Sequence, residues 1–331
     1  MTSTDIDSSF ELAAMLADGQ VHSGADLAAR LGISRTAVWK RIAKLPELGL
    51  AVTKIRSRGY RLADRIELLD IETINHLARA RLDTETFTLE LARQVESTNK
   101  MLLDKARSSQ GGHPIFLFAE HQTGGRGRRG RTWCSPCAKN IYMSVLWSTD
   151  KGLPGLDGLS LAVGVSVATM LRDDFGVPAT LKWPNDVQVN GEKLAGILIE
   201  IDGDFDGPLR VVIGIGLNVE MSLHENEVVN QPWTDMATHL SHRVSRNTVA
   251  ACLITKTLQA LSGFQRHGFP AFQDQWKVLD ANLGQTVVVT GPGWAEEGIE
   301  RGVDDQGALL LEIAGAVRRI TSGEVSLRHT S

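Results

Sequence analysis

The sequence predicts an α+β chain in three parts: an N-terminal winged helix-turn-helix, a central mixed α/β domain and a C-terminal SH3-like β-barrel. Three observations predict it. The length, 331 residues, exceeds one ordinary domain. The first sixty residues carry helical apolar periodicity punctuated by serine caps, and the stretch after Leu283 breaks into short strands between turn signals. We expect boundaries at 1–64, 65–275 and 276–331. A hydrophobic content of 42%, a charged content of 22% and only 10 prolines describe a folded chain, neither disordered nor collagen-like.

Composition also sets expectations about location. The longest charge-free apolar stretch, Gly158 to Leu171, has 14 residues, fewer than the ~20 that span a bilayer. The first residues, MTSTDIDSS, are acidic and polar where a secretory signal is basic and then apolar. Three cysteines build no disulfide framework and suit a reducing cytoplasm.

In the first part, Leu12, Met15 and Leu16 make the apolar stripe of a helix ending near Gly19. Ser23 caps a second helix that buries Leu27, Ala28 and Leu31, and Gly32 supplies a left-handed stop. Ser34 caps a third helix with Val38, Ile42 and Leu45 inward. Only Gly32-Ile33-Ser34 separates the two helices, the spacing of a helix-turn-helix. Ser34, Arg35 and Thr36 open the recognition helix, where base edges are read, and Lys40, Arg41 and Lys44 further along suit phosphates. Leu50–Ile55 and Tyr60–Leu62 form a wing whose turn carries Arg56 and Arg58.

Charge supports this reading. The net charge of the chain is −4, yet Ser34–Arg61 holds eight Lys/Arg against the single acid Glu47, a net of +7 in 28 residues. The bland alternative is a helical domain with a solvated charged face. One such unit reads a half-site, so a specific regulator must dimerise.

In the central part, Ile71–Ala80 reads as a linking helix and Phe87–Val95 as a strand. Glu96-Ser97-Thr98-Asn99 precedes a helical run; Ser97 is an N-cap, and with Thr98 and Asn99 it also makes a polar cluster beside free helix N–H donors. Ile115–Ala119 is a buried strand leading to Gln122. Residues 124–131 are then four glycines and four arginines (Gly125, Arg126, Gly127, Arg128 and Arg131 among them). Ordering such a loop costs about 1–2 kcal/mol per residue, so we expect it mobile until an anion orders it. A flexible solvated loop and an RGG-like tract are the alternatives; four guanidiniums suit carboxylate and phosphate together. Cys134 and Cys137 lack a second pair for zinc and a βαβ context for redox chemistry, so they read as packing groups.

Lys182-Trp183-Pro184-Asn185-Asp186 leads into a strand, and Asn190-Gly191 signals a hairpin. Lys193 follows the turn, either a solvated edge charge or a cation aimed into a cleft. Val211–Ile213 is a further strand, ending in Gly214-x-Gly216-x-Asn218. These glycines are no dinucleotide fingerprint, because the third glycine is missing; they read as room for a ligand near the backbone. The last part shows strands at Thr286–Thr290, Gly298–Arg301, Ala308–Ile313, Val317–Ile320 and Val325–Leu327.

Glu96-Ser-Thr-Asn99, Gln122 with Gly125–Arg131, Lys182–Asp186, Lys193-Leu-Ala-Gly196 and Gly214–Asn218 together resemble the biotin–protein ligases, specifically the bifunctional type that is also a biotin-operon repressor. The resemblance spans essentially the whole chain. It implies that biotin and ATP with Mg2+ give biotinyl-5′-AMP, and that biotin then passes to a lysine of biotin carboxyl carrier protein, with no tightly bound cofactor and no protein metal site. It implies biotin binding by Ser97, Thr98, Asn99, Gln122, Gly125, Arg126, Gly127, Arg128 and Lys193. Lys193 and Arg128 would be catalytic, and Arg131, Lys182, Asn185, Asp186, Asn218 and Trp233 would face ATP or the adenylate. It further implies that the Gly-Arg loop orders on ligand binding and supports a homodimer that binds operator DNA, and that the barrel assists ATP and acceptor binding, against the alternative of a structural cap. The competing functions are a ligase without repression, a ligand-sensing transcription factor that is no enzyme, and a lipoate ligase.

Overall fold

A computed structural model describes residues 3–82, 85–107, 112–203, 208–221, 229 and 231–327. The N-terminal domain has helices α1 (Ser3–Leu16), α2 (Gly24–Leu31) and α3 (Arg35–Lys44), then the wing strands β1 (Val52–Ile55) and β2 (Gly59–Leu62). The caps act as the sequence predicts: Ser23 accepts from the Asp26 N–H, Ser34 from the Ala37 N–H, and Gly32 adopts φ 63°. Phe10, Leu12, Leu16, Leu27, Val38, Ile42 and Leu62 close the core, whereas Met15 and Leu31 are only half-buried. The wing is pinned by main-chain bonds between His22 and Tyr60; a Cβ on Gly59 would lie 1.9 Å from the His22 carbonyl oxygen.

The central domain runs α4 (Ile71–Arg79), β3 (Thr88–Val95), α5 (Thr98–Ala106), β4 (Ile115–Gln122), β5 (Ile141–Thr149), α6 (Leu159–Asp173), β6 (Thr180–Lys182), β7 (Asp186–Val189), β8 (Glu192–Asp202), β9 (Leu209–Leu217), α7 (Met236–His239), α8 (Arg246–His267) and α9 (Pro270–Leu279). Its seven-stranded sheet has the order β3-β4-β5-β9-β8-β7-β6. Only β3 and β4 pair in parallel, with α5 as the crossover. Helices α4, α6, α8 and α9 cover one face in the main core, and α5 packs Leu102 and Ala106 against Leu117, Leu146 and Val212 on the other. Asn190 and Gly191 both have positive φ, 52° and 84°, the turn that joins β7 to β8.

The segment Leu153–Asp173 is long and apolar enough by composition to cross a membrane. The helix within it, α6, has 15 residues and is therefore about 22 Å long, and most of its side chains are buried in the core. That burial explains a continuous apolar run without invoking lipid.

The C-terminal strands β10 (Thr286–Gly291), β11 (Trp294–Val303), β12 (Leu309–Ile313), β13 (Ala316–Ile320) and β14 (Glu324–Leu327) form an antiparallel sheet ordered β13-β12-β11-β10-β14. Helix α9 runs across position 275, where we had expected a boundary. The barrel is docked tightly: the Trp183 indole donates to the Gly307 carbonyl at 3.1 Å, and a Cβ on Gly307 would meet the Gly158 backbone at 2.8 Å. Cys137 and Ala138 belong to the N-terminal core, so the segment after the Gly-Arg loop packs into the N-terminal domain.

Candidate active site and nucleic-acid interface

The C-terminal ends of β3 and β4, the turn after β6 and the middle of β8 and β9 line a cleft partly open to solvent. At one end stands a polar network. Ser97 caps α5, the Thr98 N–H donates to Gln122 Oε1 at 2.9 Å, and Gln122 Nε2 donates to Ser135 Oγ at 3.1 Å. The Ser144 hydroxyl donates to Asn99 Oδ1 at 2.6 Å and lies 2.7 Å from the Thr98 hydroxyl. Ser97, Thr98 and Asn99 are all buried. Such a dry set of donors and acceptors fits a small polar headgroup and rejects an analogue that lacks it.

At the other end stand cations. Lys193 Nζ is 2.6 Å from Asp186 Oδ1 and 5.5 Å from the centre of the Trp133 ring. Arg128 donates to Asn185 Oδ1 at 3.3 Å, and the Asn185 amide donates to the Ile197 carbonyl at 2.6 Å. Burial, with the neighbouring Arg129 charge, lowers the Arg128 pKa from the ordinary guanidinium value. Lys182 and Arg131 complete this wall.

The Gly-Arg loop takes a defined turn. Gly127 N–H donates to the Arg131 carbonyl at 2.7 Å, Trp133 N–H to Gly125 at 2.9 Å, and Arg129 and Gly130 turn the chain with φ 54° and 73°. Protein carboxylates supply the anions: Arg126 meets Glu200 at 3.3 Å, and Arg129 and Arg131 meet Glu324 of the barrel.

Most of the expected small-molecule residues therefore converge: Ser97, Thr98, Asn99, Gln122, Arg126, Gly127, Arg128, Arg131, Lys182, Asn185, Asp186 and Lys193 all line the cleft. Three do not. Gly125 lies behind it, where a Cβ would meet the Trp133 carbonyl at 2.5 Å. Asn218 is buried beneath it, donating to the Thr234 carbonyl at 3.0 Å and the Lys193 carbonyl at 3.4 Å. Trp233 sits beside it, its backbone paired with Lys193, and its indole N–H is buried without a partner among the described residues.

Gly214 and Gly216 make room for side chains instead of directly for a ligand: Cβ atoms there would lie 2.3 Å from Asn99 Oδ1 and 2.4 Å from the Trp133 indole. Sequence reasoning missed Ser144, Ser135, Glu200 and Glu324. For Glu200 a signal existed, since Gly196, Leu198 and Glu200 alternate onto one face of β8.

On the N-terminal domain, Arg35, Thr36, Lys54 and Arg58 line a groove between α3 and the wing. Ser34 is spent on its cap, while Lys40 and Arg56 are exposed. Arg41 and Lys44 turn toward α1, where Glu11 and Asp5 pair with them at 3.5 and 2.8 Å, so they are not free cations of the groove. Trp39, 56% exposed on α3, joins the groove and was not anticipated.

The comparisons with known proteins agree with this division. The Biotin/lipoate A/B protein ligase family matches residues 91–218, an HTH domain matches 10–61, and the Biotin protein ligase C terminal domain matches 283–328. The Bifunctional ligase/repressor BirA of Salmonella typhimurium is 38% identical over 317 residues, 96% of each chain, and that of Escherichia coli is 37% identical over 318 residues, again 96% of each. A solved Biotin protein ligase from Aquifex aeolicus in complex with biotin and ATP superposes with a TM-score of 0.64 at 28% identity, covering 73% of this chain and 99% of that one. With relatives this similar along their whole length and a cleft of this construction, the chain belongs to the biotin–protein ligase family, in its bifunctional ligase/repressor branch.

Proposed function

We propose that this protein activates biotin with ATP and transfers it to a lysine of biotin carboxyl carrier protein. The observation that carries the reading is one cleft with a buried amide-and-hydroxyl network at one end and Lys193, Arg128 and Arg131 at the other. In this reading biotin lies with its ureido ring on Ser97, Thr98, Asn99 and Gln122 and its carboxylate toward Lys193. A carboxylate oxygen attacks the α-phosphorus, the bond to the bridging oxygen breaks, and pyrophosphate leaves. The acceptor amine then attacks the acyl carbon; AMP leaves with the bonding pair and the amine loses a proton. Neither step needs a covalent enzyme intermediate, so the protein contributes position and charge.

In this reading Lys193 leaves Asp186 to bridge carboxylate and α-phosphate, and Arg128 neutralises charge that develops between them. Arg126 and the Gly127 backbone cover the carboxylate and exclude water from the adenylate. Lys182, Asn185 and Arg131 face the nucleotide, and Trp233 remains in that set, its unpartnered indole N–H lying beside Lys193. We assign Asn218 to holding the Lys193 main chain, not to contacting ATP. Mg2+ would enter with the phosphates, where Asp186 would meet it beside phosphate oxygens and water.

We further assign the groove of Arg35, Thr36, Trp39, Lys54 and Arg58 to operator DNA, read by an adenylate-bound homodimer that represses biotin-biosynthesis genes. Three free thiols agree with a cytoplasmic location. The function is tested by incubating the protein with biotin, ATP and Mg2+, adding carrier protein, and following the mass of the carrier. One added biotin on a single lysine, absent without ATP, is expected; an unmodified carrier contradicts the reading.

A further inference from the structure

Glu200 has no part in the chemistry above, yet it touches both the polar network and the loop that covers it. It lies on β8, two and four residues beyond Leu198 and Gly196, which line the cleft from the same strand face. One carboxylate oxygen, Oε2, accepts from the Asn99 amide at 2.8 Å. The other, Oε1, is 3.3 Å from the Arg126 guanidinium. Among the described residues Arg126 has no other carboxylate partner. The next acid on that strand face, Asp202, is engaged by Arg107 and Arg210 instead.

The bond to Asn99 carries orientation as well as energy. A carboxylate only accepts, so it fixes the NH2 side of the buried amide toward Glu200 and the Leu198 carbonyl. Asn99 Oδ1 must then face the Ser144 hydroxyl, which it does at 2.6 Å. The same charge attracts Arg126 and holds Arg126 and Gly127 at the cleft. The loop's own main-chain bonds, Gly127 N–H to the Arg131 carbonyl and Trp133 N–H to the Gly125 carbonyl, shape its turn but give the Arg126 side chain no carboxylate partner; Glu200 does.

We infer that Glu200 is a positioning residue for biotin: it clamps the Gly-Arg loop through Arg126 and sets the donor–acceptor orientation of Asn99 in the polar network. This rests on the biotin reading of the cleft. Glu200 itself touches no reacting atom, so its effect falls on binding. Its side chain and that of Arg126 are 26% and 39% exposed, which keeps the ion pair weak and the effect moderate.

Biotin-dependent pyrophosphate release by the full chain, turning over with carrier protein present, tests this. Glu200→Gln keeps length and an acceptor but removes the charge. Its KM for biotin is expected to rise roughly three- to tenfold with kcat and thermal midpoint unchanged. Glu200→Ala, which loses the acceptor too, raises KM further. In a cycle with Arg126→Gln, the double variant is expected to be no worse than the poorer single one, because the pair acts as a unit. An unchanged KM in Glu200→Gln, additive losses in the cycle, or a parallel fall of kcat and thermal midpoint each overturn the proposal. If wild-type protein releases pyrophosphate without regard to biotin, the ligase reading itself fails; if only the Glu200 variants behave as wild type, that reading stands and the clamp falls.

Discussion

Lys193 shows how one side chain serves two states. Paired with Asp186 at 2.6 Å and set over the Trp133 ring, its ammonium is held inside the cleft where an anionic ligand takes the place of the aspartate. Replacing it with methionine keeps the stem and removes the charge. The Asp186 oxygen that faces it is buried and would lose its charge partner, so the thermal midpoint should fall too, and activity is compared well below that midpoint. Adenylation, measured as pyrophosphate release, is expected to fall about 10²–10³-fold, the usual cost of one preorganised electrostatic contact; a loss under threefold contradicts the role. At this scale the sequence was legible where motifs name residue types, as in Ser97–Asn99, Lys193 and Asp186. It was not legible where a residue acts from below. Asn218 belongs to a motif yet holds backbone, and Ser144 belongs to no motif yet bonds Asn99, because a hydroxyl on an unrecognised strand carries no mark of its surroundings.

Elements were read well where caps and turns speak and poorly where burial is complete. Ser23, Ser34, Gly32 and Asn190-Gly191 all stand where local backbone chemistry places them. Strand β5 escaped notice because nearly every residue of it is buried, which erases the alternation that reveals a strand. The seam between α9 and β11 holds a feature no pattern announces: the buried carboxyl of Glu300 beside the half-buried Asp280, near Asn282 and Lys182. Burial, and then the Asp280 charge, pushes the Glu300 pKa above its ordinary value; Lys182 opposes this only in part. The folded state therefore holds this proton more tightly than the unfolded chain does. The stability it confers is complete below the ordinary carboxyl range and is lost as the pH rises toward the folded-state value. Glu300→Gln, which cannot ionise, should gain thermal midpoint relative to wild type as the pH is raised from acidic to alkaline. Melting curves that shift in parallel across that range contradict this.

Across the whole molecule, charge divides the labour. An acidic chain keeps a basic groove at α3 and the wing, and a cationic wall inside the central cleft, with the barrel supplying Glu324 to the loop arginines. The three-part architecture was legible from composition shifts and periodicity; the docking of Cys137 into the N-terminal core and of Gly307 onto Gly158 was not, since long-range packing leaves no local pattern. The ion pairs sort the cations of α3. In titrations of operator DNA at fixed salt, Arg35→Ala is expected to weaken binding about tenfold or more, as a base-reading contact does, and Arg41→Ala only slightly, since Glu11 already occupies it. Equal losses would place Arg41 on the DNA and contradict the geometry.

The central claim, that the cleft joins a carboxylate to an adenylyl group, is tested most directly by pyrophosphate release from ATP, first with biotin alone and then with carrier protein. A biotin-dependent burst of one equivalent per protein is expected, followed by continuous turnover only after carrier is added. Release that ignores biotin, or no release at all, contradicts it.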